Sequence, residues 1–475
     1  MFLAYLFACQ AVDQDTSLPD VEDTDSTTPS VNLQAPTRLA LPYAEVGDMA
    51  PKEVLPLQYE GEAATLTMSF AGDFSADHPN TIDGDLDIAV HYTGSMNTSA
   101  LHSGSLSIEV GSESVTVGLA AVIANPDLPL ATWTGDDYGE RAVVGLPSAP
   151  FPHSSGSWTD DSVLIYVPHG LNDTAEVGVV THLHGHNATV PAIAETMRLT
   201  EQFAFAGRNA VLVVPQGPWS AGSSNFGKLE DPDGYAALIV DVFSILYRDG
   251  YLENPAIGAS VITSHSGGYR GTARILDHGG LFVAAAHLFD SLYAEESSYE
   301  AFVLEGGLLR SSYTATGGTA NDNEELMKDL EAAGVVVGES FDDLELLEQS
   351  VLIGPTDSSH NKCVTDDRNY MRWLIQSELP AHFLHPPELL AVIADGSTAQ
   401  VTWREERGGT DGVFVVEGSA DGATWEDLAT TKGASAEVEA HLWIRVSREQ
   451  DDFRGNPSDV YGTSGEDWLI VDGFD

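Results

Sequence analysis

The chain has 475 residues, 20 of them Lys or Arg and 73 Asp or Glu, for a formal net charge of −53. So acidic a surface repels phosphate, which argues against nucleic acid and anionic membrane surfaces as partners. The length exceeds one ordinary domain and suggests about three, and the two cysteines, Cys9 and Cys363, are too few for a disulfide framework.

Taken from its start, the chain opens with a short apolar segment, residues 1–9, ending in Leu6-Phe7-Ala8-Cys9. This segment resembles the lipobox of bacterial lipoproteins, which implies cleavage before Cys9, acylation of its thiol, and an extracytoplasmic protein held at the cell envelope. A plain export signal and a secreted product are the alternative. No other apolar run approaches the ~20 residues needed to span a bilayer. Residues 10–32 follow, rich in Asp, Ser, Thr and Pro and without a Lys or Arg from Gln10 to Ser30, a composition expected of a flexible spacer. From 33 to 138, stretches such as Ala64–Phe70 and Leu86–Tyr92 alternate apolar and polar residues between Gly and Asp turns, predicting a small β-sandwich.

From 139 to 385 the pattern changes to strands alternating with helices. Val177–Leu183 reads as a buried strand running into the turn His184-Gly185-His186-Asn187, and Ala210–Pro215 as the next strand. Helices are predicted around Pro191–Phe205 and Asp233–Tyr247, the latter with Leu238, Ile239, Val242, Ile245 and Leu246 at helical spacing. The run Ala259–Leu276 then places a β-branched segment before Ser264-His265-Ser266-Gly267-Gly268 and a helical pattern after it. That is the grammar of a tight strand-to-helix turn carrying an exposed nucleophile, with serine at the first of the two positions where glycine is common. Strands ending at Asp290 and Thr314, a helix over Asn321–Gly334, a strand from Val351 opening into a loop with His360, and a helix over Asp366–Glu378 complete the region. The alternation predicts a mostly parallel sheet with helices on both faces.

Residues 161–379 resemble an α/β-hydrolase and are most similar to secreted esterases of the polyhydroxyalkanoate-depolymerase and feruloyl-esterase type. The resemblance is carried by the His184-Gly185 turn, the Ser264–Gly268 elbow and His360 after the last strand. It implies a serine–acid–histidine triad in that chain order. It also implies an oxyanion hole formed by the Gly267 amide and by the turn containing His184, Gly185 and His186. The chemistry asks for the same parts: Ser266 needs an imidazole, His360, to take its proton, and the imidazole needs a carboxylate to hold its tautomer. Asp290 is the preferred acid, because a carboxylate at the end of an apolar strand needs a partner. The resemblance places the acid one strand later, near Asp322, but Thr319-Ala-Asn-Asp322 reads as a helix cap, which already gives Asp322 a structural task. Asp357 is a third choice. His182, His184 and His186 at alternate positions raise a zinc site as a rival, yet no Glu-x-x-His or cysteine cluster accompanies them, so neither a metal nor another cofactor is expected.

Residues 386–463, with Trp403 early and a strand-turn-Trp425 pattern, resemble a fibronectin type III module. Residues 464–475 are an apolar strand that either begins a further domain or joins an existing sheet. The reading is therefore an exported serine hydrolase of carboxylic esters, polymeric ones included, acting through an acyl-enzyme. A serine peptidase or acyltransferase, and a surface binding protein on an inactive hydrolase scaffold, are the alternatives. Acyl and alcohol preference would lie in loops such as Trp219–Glu230.

Overall fold

The computed structural model describes residues 32–462 and 469–470, excepting 37, 137, 174–175, 220–223, 254–256, 316–317, 343–345, 347–348, 378, 381–387, 396, 405–412, 421–423, 434, 442, 451–452 and 455–460. The segment with Cys9 and nearly all of the acidic spacer lie outside the described residues. Two compact units are defined. The first reaches to Leu41 and includes Ala50–Ser95 and His102–Ala121; the second holds Pro42–Met49, Met96–Leu101 and everything from Val122.

In the first unit, Asn32–Gln34, Lys52–Glu60, Leu86–Tyr92 and Phe74–Ala76 form a four-stranded antiparallel sheet in that order. Ala64–Ala71 pairs in a second sheet, from Leu66 opposite Val110 to Ala71 opposite Ser105. The period-two pattern has its expected cause: along Lys52–Glu60, Leu55, Leu57 and Tyr59 point inward and their neighbours outward.

The second unit is organised around one nine-stranded sheet. Its strands are β1 (Thr134–Gly135), β2 (Gly139–Gly145), β3 (Ser162–Pro168), β4 (Val177–Leu183), β5 (Ala210–Pro215), β6 (Ile257–His265), β7 (Val283–Phe289), β8 (Leu308–Thr314) and β9 (Val351–Thr356). The spatial order is β1-β2-β3-β5-β4-β6-β7-β8-β9. The sheet is mixed: from β5 onward every pairing is parallel, whereas β1, β2 and β3 add antiparallel pairings at one edge. A mostly parallel sheet was expected for residues 139–385, and five of the eight pairings here are parallel. Over the described chain antiparallel pairing prevails, because most strands before and after this sheet are joined as hairpins, which pair antiparallel, the exceptions being Arg38–Ala40 and Ala44–Glu45, which lie parallel to Glu113–Ala124.

The α-helices fully contained in the described residues are α1 (Val190–Thr196), α2 (Leu199–Phe205), α3 (Gly234–Arg248), α4 (Tyr269–His278), α5 (Glu296–Leu304), α6 (Ala320–Ala332) and α7 (Asn369–Ile375). The single helix expected at 191–205 is two, because Arg198 takes a left-handed conformation (φ 51°) between them. Successive residues of the buried strands divide between two cores. Val163, Ile165, Val179, Val211 and Val213 pack with Leu238, Val242 and Ile245 of α3, whereas Leu164, Tyr166, Val180, Leu212 and Val214 pack with Ile193, Phe203 and Trp373 of α1, α2 and α7. Continuous apolar strands follow from a sheet covered on both faces, and each fully buried Val, Leu or Ile contributes roughly 1.5–3 kcal/mol. No helix among the described residues is long and apolar enough to cross a membrane. Beyond 388, Trp403 is buried in a small core with Val401, Val416, Ile444 and Val446, drawn from two sheets.

Candidate active site

The site lies at the C-terminal ends of β4, β6 and β7 and in the loop after β9. β6 ends at His265, Ser266 follows in a left-handed conformation (φ 52°), and a short 3-10 turn over Ser266–Gly268 leads into α4. A serine held there carries strain, and the turn lifts its side chain off the sheet. The crowding explains the small neighbours. A Cβ on Gly268 would stand 2.4 Å from the Leu183 carbonyl oxygen and 2.9 Å from Cβ of Ser264; one on Gly185 would stand 2.8 Å from Cβ of Ser266. Serine at 264 is tolerated because its hydroxyl bonds Ser291 Oγ (2.8 Å), which also donates to the Ser266 carbonyl (2.8 Å). Gly268→Ala is expected to destabilise the fold by roughly 1–3 kcal/mol through this overlap, measured as a lowered urea midpoint at unchanged slope; an unchanged midpoint would contradict the close approach.

His360 joins the two other residues. Its Nε2 is 3.0 Å from Ser266 Oγ and its Nδ1 is 2.6 Å from Asp290 Oδ2. The imidazole is 33 % exposed and the carboxylate fully buried. Asp290 follows β7, itself left-handed (φ 47°), and accepts from the Thr314 amide (3.1 Å), the Thr314 hydroxyl (2.7 Å) and the Thr319 hydroxyl. Burial raises its pKa, but the bonds from His360, Thr319 and Thr314 outweigh that and hold the carboxyl down at about 2. Asp322 is not at His360. It sits in the first turn of α6, where burial and the neighbouring Glu296 push its pKa up. Thr319, read as that helix's cap, makes no side-chain capping bond and serves Asp290 instead. Asp357 lines a cavity of about 670 Å³ with Ser312, Glu339, Asp366 and Arg372.

The turn after β4 is pinned by His184. Because Gly217 N–H donates to its Nε2 (2.8 Å), its proton lies on Nδ1, which donates to the Gly185 carbonyl (2.8 Å). Gln216 Nε2 also reaches Nε2 of His184 (3.0 Å). His182 Nδ1 meets Thr263 Oγ1 at 2.9 Å. Among the described residues no group of three His, Cys, Asp or Glu is arranged to hold a metal ion. The His186 amide nitrogen lies 3.6 Å from where a Cβ on Gly267 would project, so the turn after β4 comes up against the residue that follows Ser266.

Three neighbours were not legible in the sequence. Tyr293 stands near the Ser266 side chain, Ser224 Oγ reaches within 3.0 Å of that same Cβ position on Gly267, and His265 bonds the backbone of His360. His265 stands inside the elbow motif, which does not announce its bond to His360, and Tyr293 and Ser224 stand in no motif; only spatial proximity reveals these roles.

Burial holds the pKa values of His182, His184, His265 and His287 below the ordinary 6.5, that of His265 at about 4. In the unfolded chain these rings take up protons as pH falls through about 6.5, whereas the folded chain keeps them neutral. The unfolded state therefore binds more protons, and each ring removes up to about 1.4 kcal/mol of stability per pH unit on the way from 6.5 toward 4. A falling Tm between pH 7.5 and 5.5 is expected; a flat Tm there would contradict neutral burial.

No protein-family model matches the chain, and no curated protein does. Among solved structures it is similar to an S-formylglutathione hydrolase from Agrobacterium tumefaciens, at 11 % identity over 52 % of this chain and 99 % of that one (TM-score 0.34). It is similar to an acetyl xylan esterase from Aspergillus awamori, at 14 % identity over 50 % and 99 % (TM-score 0.34). It is also similar to the feruloyl esterase module from Clostridium thermocellum complexed with sinapinate, at 13 % identity over 52 % and 93 % (TM-score 0.33).

Proposed function

We propose that the protein is a serine esterase of the α/β-hydrolase type, hydrolysing carboxylic esters through an acyl-enzyme. The observation that carries this reading is the pair of bonds from one imidazole, 3.0 Å to Ser266 Oγ and 2.6 Å to Asp290, with the serine on a strained strand-to-helix turn. Ser266 Oγ attacks the acyl carbon while His360 Nε2 takes its proton. The same nitrogen then gives that proton to the leaving alcohol, and the cycle repeats with water to release the acid. Asp290 keeps Nδ1 protonated and stabilises the imidazolium. The amides of Gly267 and His186 are the donors for the oxyanion, where loss of one such donor costs about 3 kcal/mol.

The reading extends to export through the first nine residues, with Cys9 as a lipid attachment point, and to residues 386–463 as a fibronectin type III-like spacer or binding unit. The acidic coat favours neutral or cationic esters over polyanionic ones. Rates on p-nitrophenyl esters of graded chain length, run beside a peptide anilide, test the function. Ester turnover with a clear chain-length optimum and little amide cleavage is expected; faster amide cleavage would instead make the protein a peptidase.

A further inference from the structure

One side chain touches both sides of the site while standing outside the proton relay. His265, the last residue of β6, is 5 % exposed, and its Nε2 lies 2.8 Å from the main-chain carbonyl oxygen of His360. A carbonyl only accepts, so Nε2 of His265 carries the proton and donates. The two rings lie against each other at 4.7 Å between centroids and 36° between planes. On its other side the ring borders the turn after β4: a Cβ on Gly185 would meet His265 Nδ1 at 3.2 Å. The His360 carbonyl receives a second donor, Cys363 Sγ, at 3.2 Å.

We propose that His265 is a positioning residue, which clamps the backbone of the His360 loop and so keeps His360 Nε2 within hydrogen-bond reach of Ser266 Oγ. The inference rests on the triad reading above. His360 sits in the stretch between the end of β9 at Thr356 and the start of α7 at Asn369, outside any strand or helix. Its ring is held at both nitrogens, and the Ser359 carbonyl takes the amides of Lys362 (2.8 Å) and Cys363 (3.1 Å) across the turn; those amide bonds and the one from Cys363 Sγ lie within the loop, whereas the bond from His265 ties the loop to the residue next to the nucleophile. Base and nucleophile then move together. The donor must also stay uncharged, since an imidazolium forms on His360 at each proton transfer. The titratable groups around His265 are His360, His184, His182 and Asp290. Burial, the strongest influence on the ring, keeps it neutral at ordinary pH, so the clamp adds no positive charge beside the base.

The test uses the full chain with His265→Leu, His265→Gln and His265→Asn. Glutamine can place its Nε2 where the imidazole Nε2 stands, leucine keeps bulk without a donor, and asparagine is too short. Leucine and asparagine variants are expected to lose about 100-fold in kcat with KM changed by less than about threefold, the scale of a misplaced catalytic group. The glutamine variant is expected to recover most of that loss. Leucine and asparagine variants with parental kcat, a glutamine variant no better than leucine, or a loss confined to KM would overturn the proposal. If the leucine variant does not fold, the comparison of the two amides decides alone. Labelling of the parent by an activated phosphonate separates failure of the triad from failure of the clamp: an unlabelled Ser266 removes the triad itself, whereas a labelled parent whose variants all turn over alike removes only the clamp.

Discussion

Ser266→Ala is expected to lower ester turnover by about 10⁶-fold, the scale seen when the nucleophile is removed from such a triad. The Ser266 hydroxyl bonds the His360 ring, and alanine keeps the Cβ that the turn already accommodates. The melting temperature is therefore expected to stay within a few degrees of the parent. Residual activity over the uncatalysed rate would come from the oxyanion amides. Steady-state kcat/KM measured beside thermal unfolding checks both halves; a folded variant within about tenfold of the parent would place the nucleophile elsewhere.

Asp290→Asn is expected to cost about 10⁴-fold in turnover. Asp290 Oδ2 accepts from both His360 Nδ1 and the Thr314 hydroxyl, and Oδ1 accepts from the Thr314 amide and the Thr319 hydroxyl. With the Thr314 amide fixing the remaining oxygen at the Oδ1 position, asparagine turns its NH₂ toward His360. The ring then protonates on Nε2 and points a donor, not a base, at Ser266 Oγ. Asp322→Asn acts at the first turn of α6 and beside Glu296, away from His360; a dipole contact of about 0.3–1 kcal/mol is at stake there, and its turnover is expected to stay near parental. The reverse pattern, a crippled Asp322 variant beside a healthy Asp290 variant, would move the acid one strand later.

These residues differ in how far the sequence announces them. Ser266 is legible because its constraints are local: a β-branched run, a turn that admits no Cβ at Gly268, and a helix must follow one another in the chain. Asp290 and His360 are legible only as residues at the ends of strands, since what unites them is the parallel pairing of β6, β7, β8 and β9, which no short window encodes. Thr319 shows the limit most clearly. Thr-Ala-Asn-Asp is a sound capping signature, yet the hydroxyl turns to a carboxylate 29 residues back in the chain, a tertiary bond stronger than the local one it displaces. The break between α1 and α2 was likewise hidden, because nothing in Met197-Arg198 resembles the residues that usually adopt a left-handed turn. The antiparallel edge formed by β1, β2 and β3 is a property of connection geometry, and alternation of apolar residues does not report strand direction.

Whether Ser266 is an activated nucleophile is measured directly by covalent labelling. The full-length protein, incubated with a fluorophosphonate at neutral pH and digested, should carry the adduct mass on the peptide containing Ser266, with labelling abolished in Ser266→Ala and strongly slowed in Asp290→Asn. An unlabelled Ser266 in a folded protein that still hydrolyses esters, or an adduct on a different serine, would contradict it.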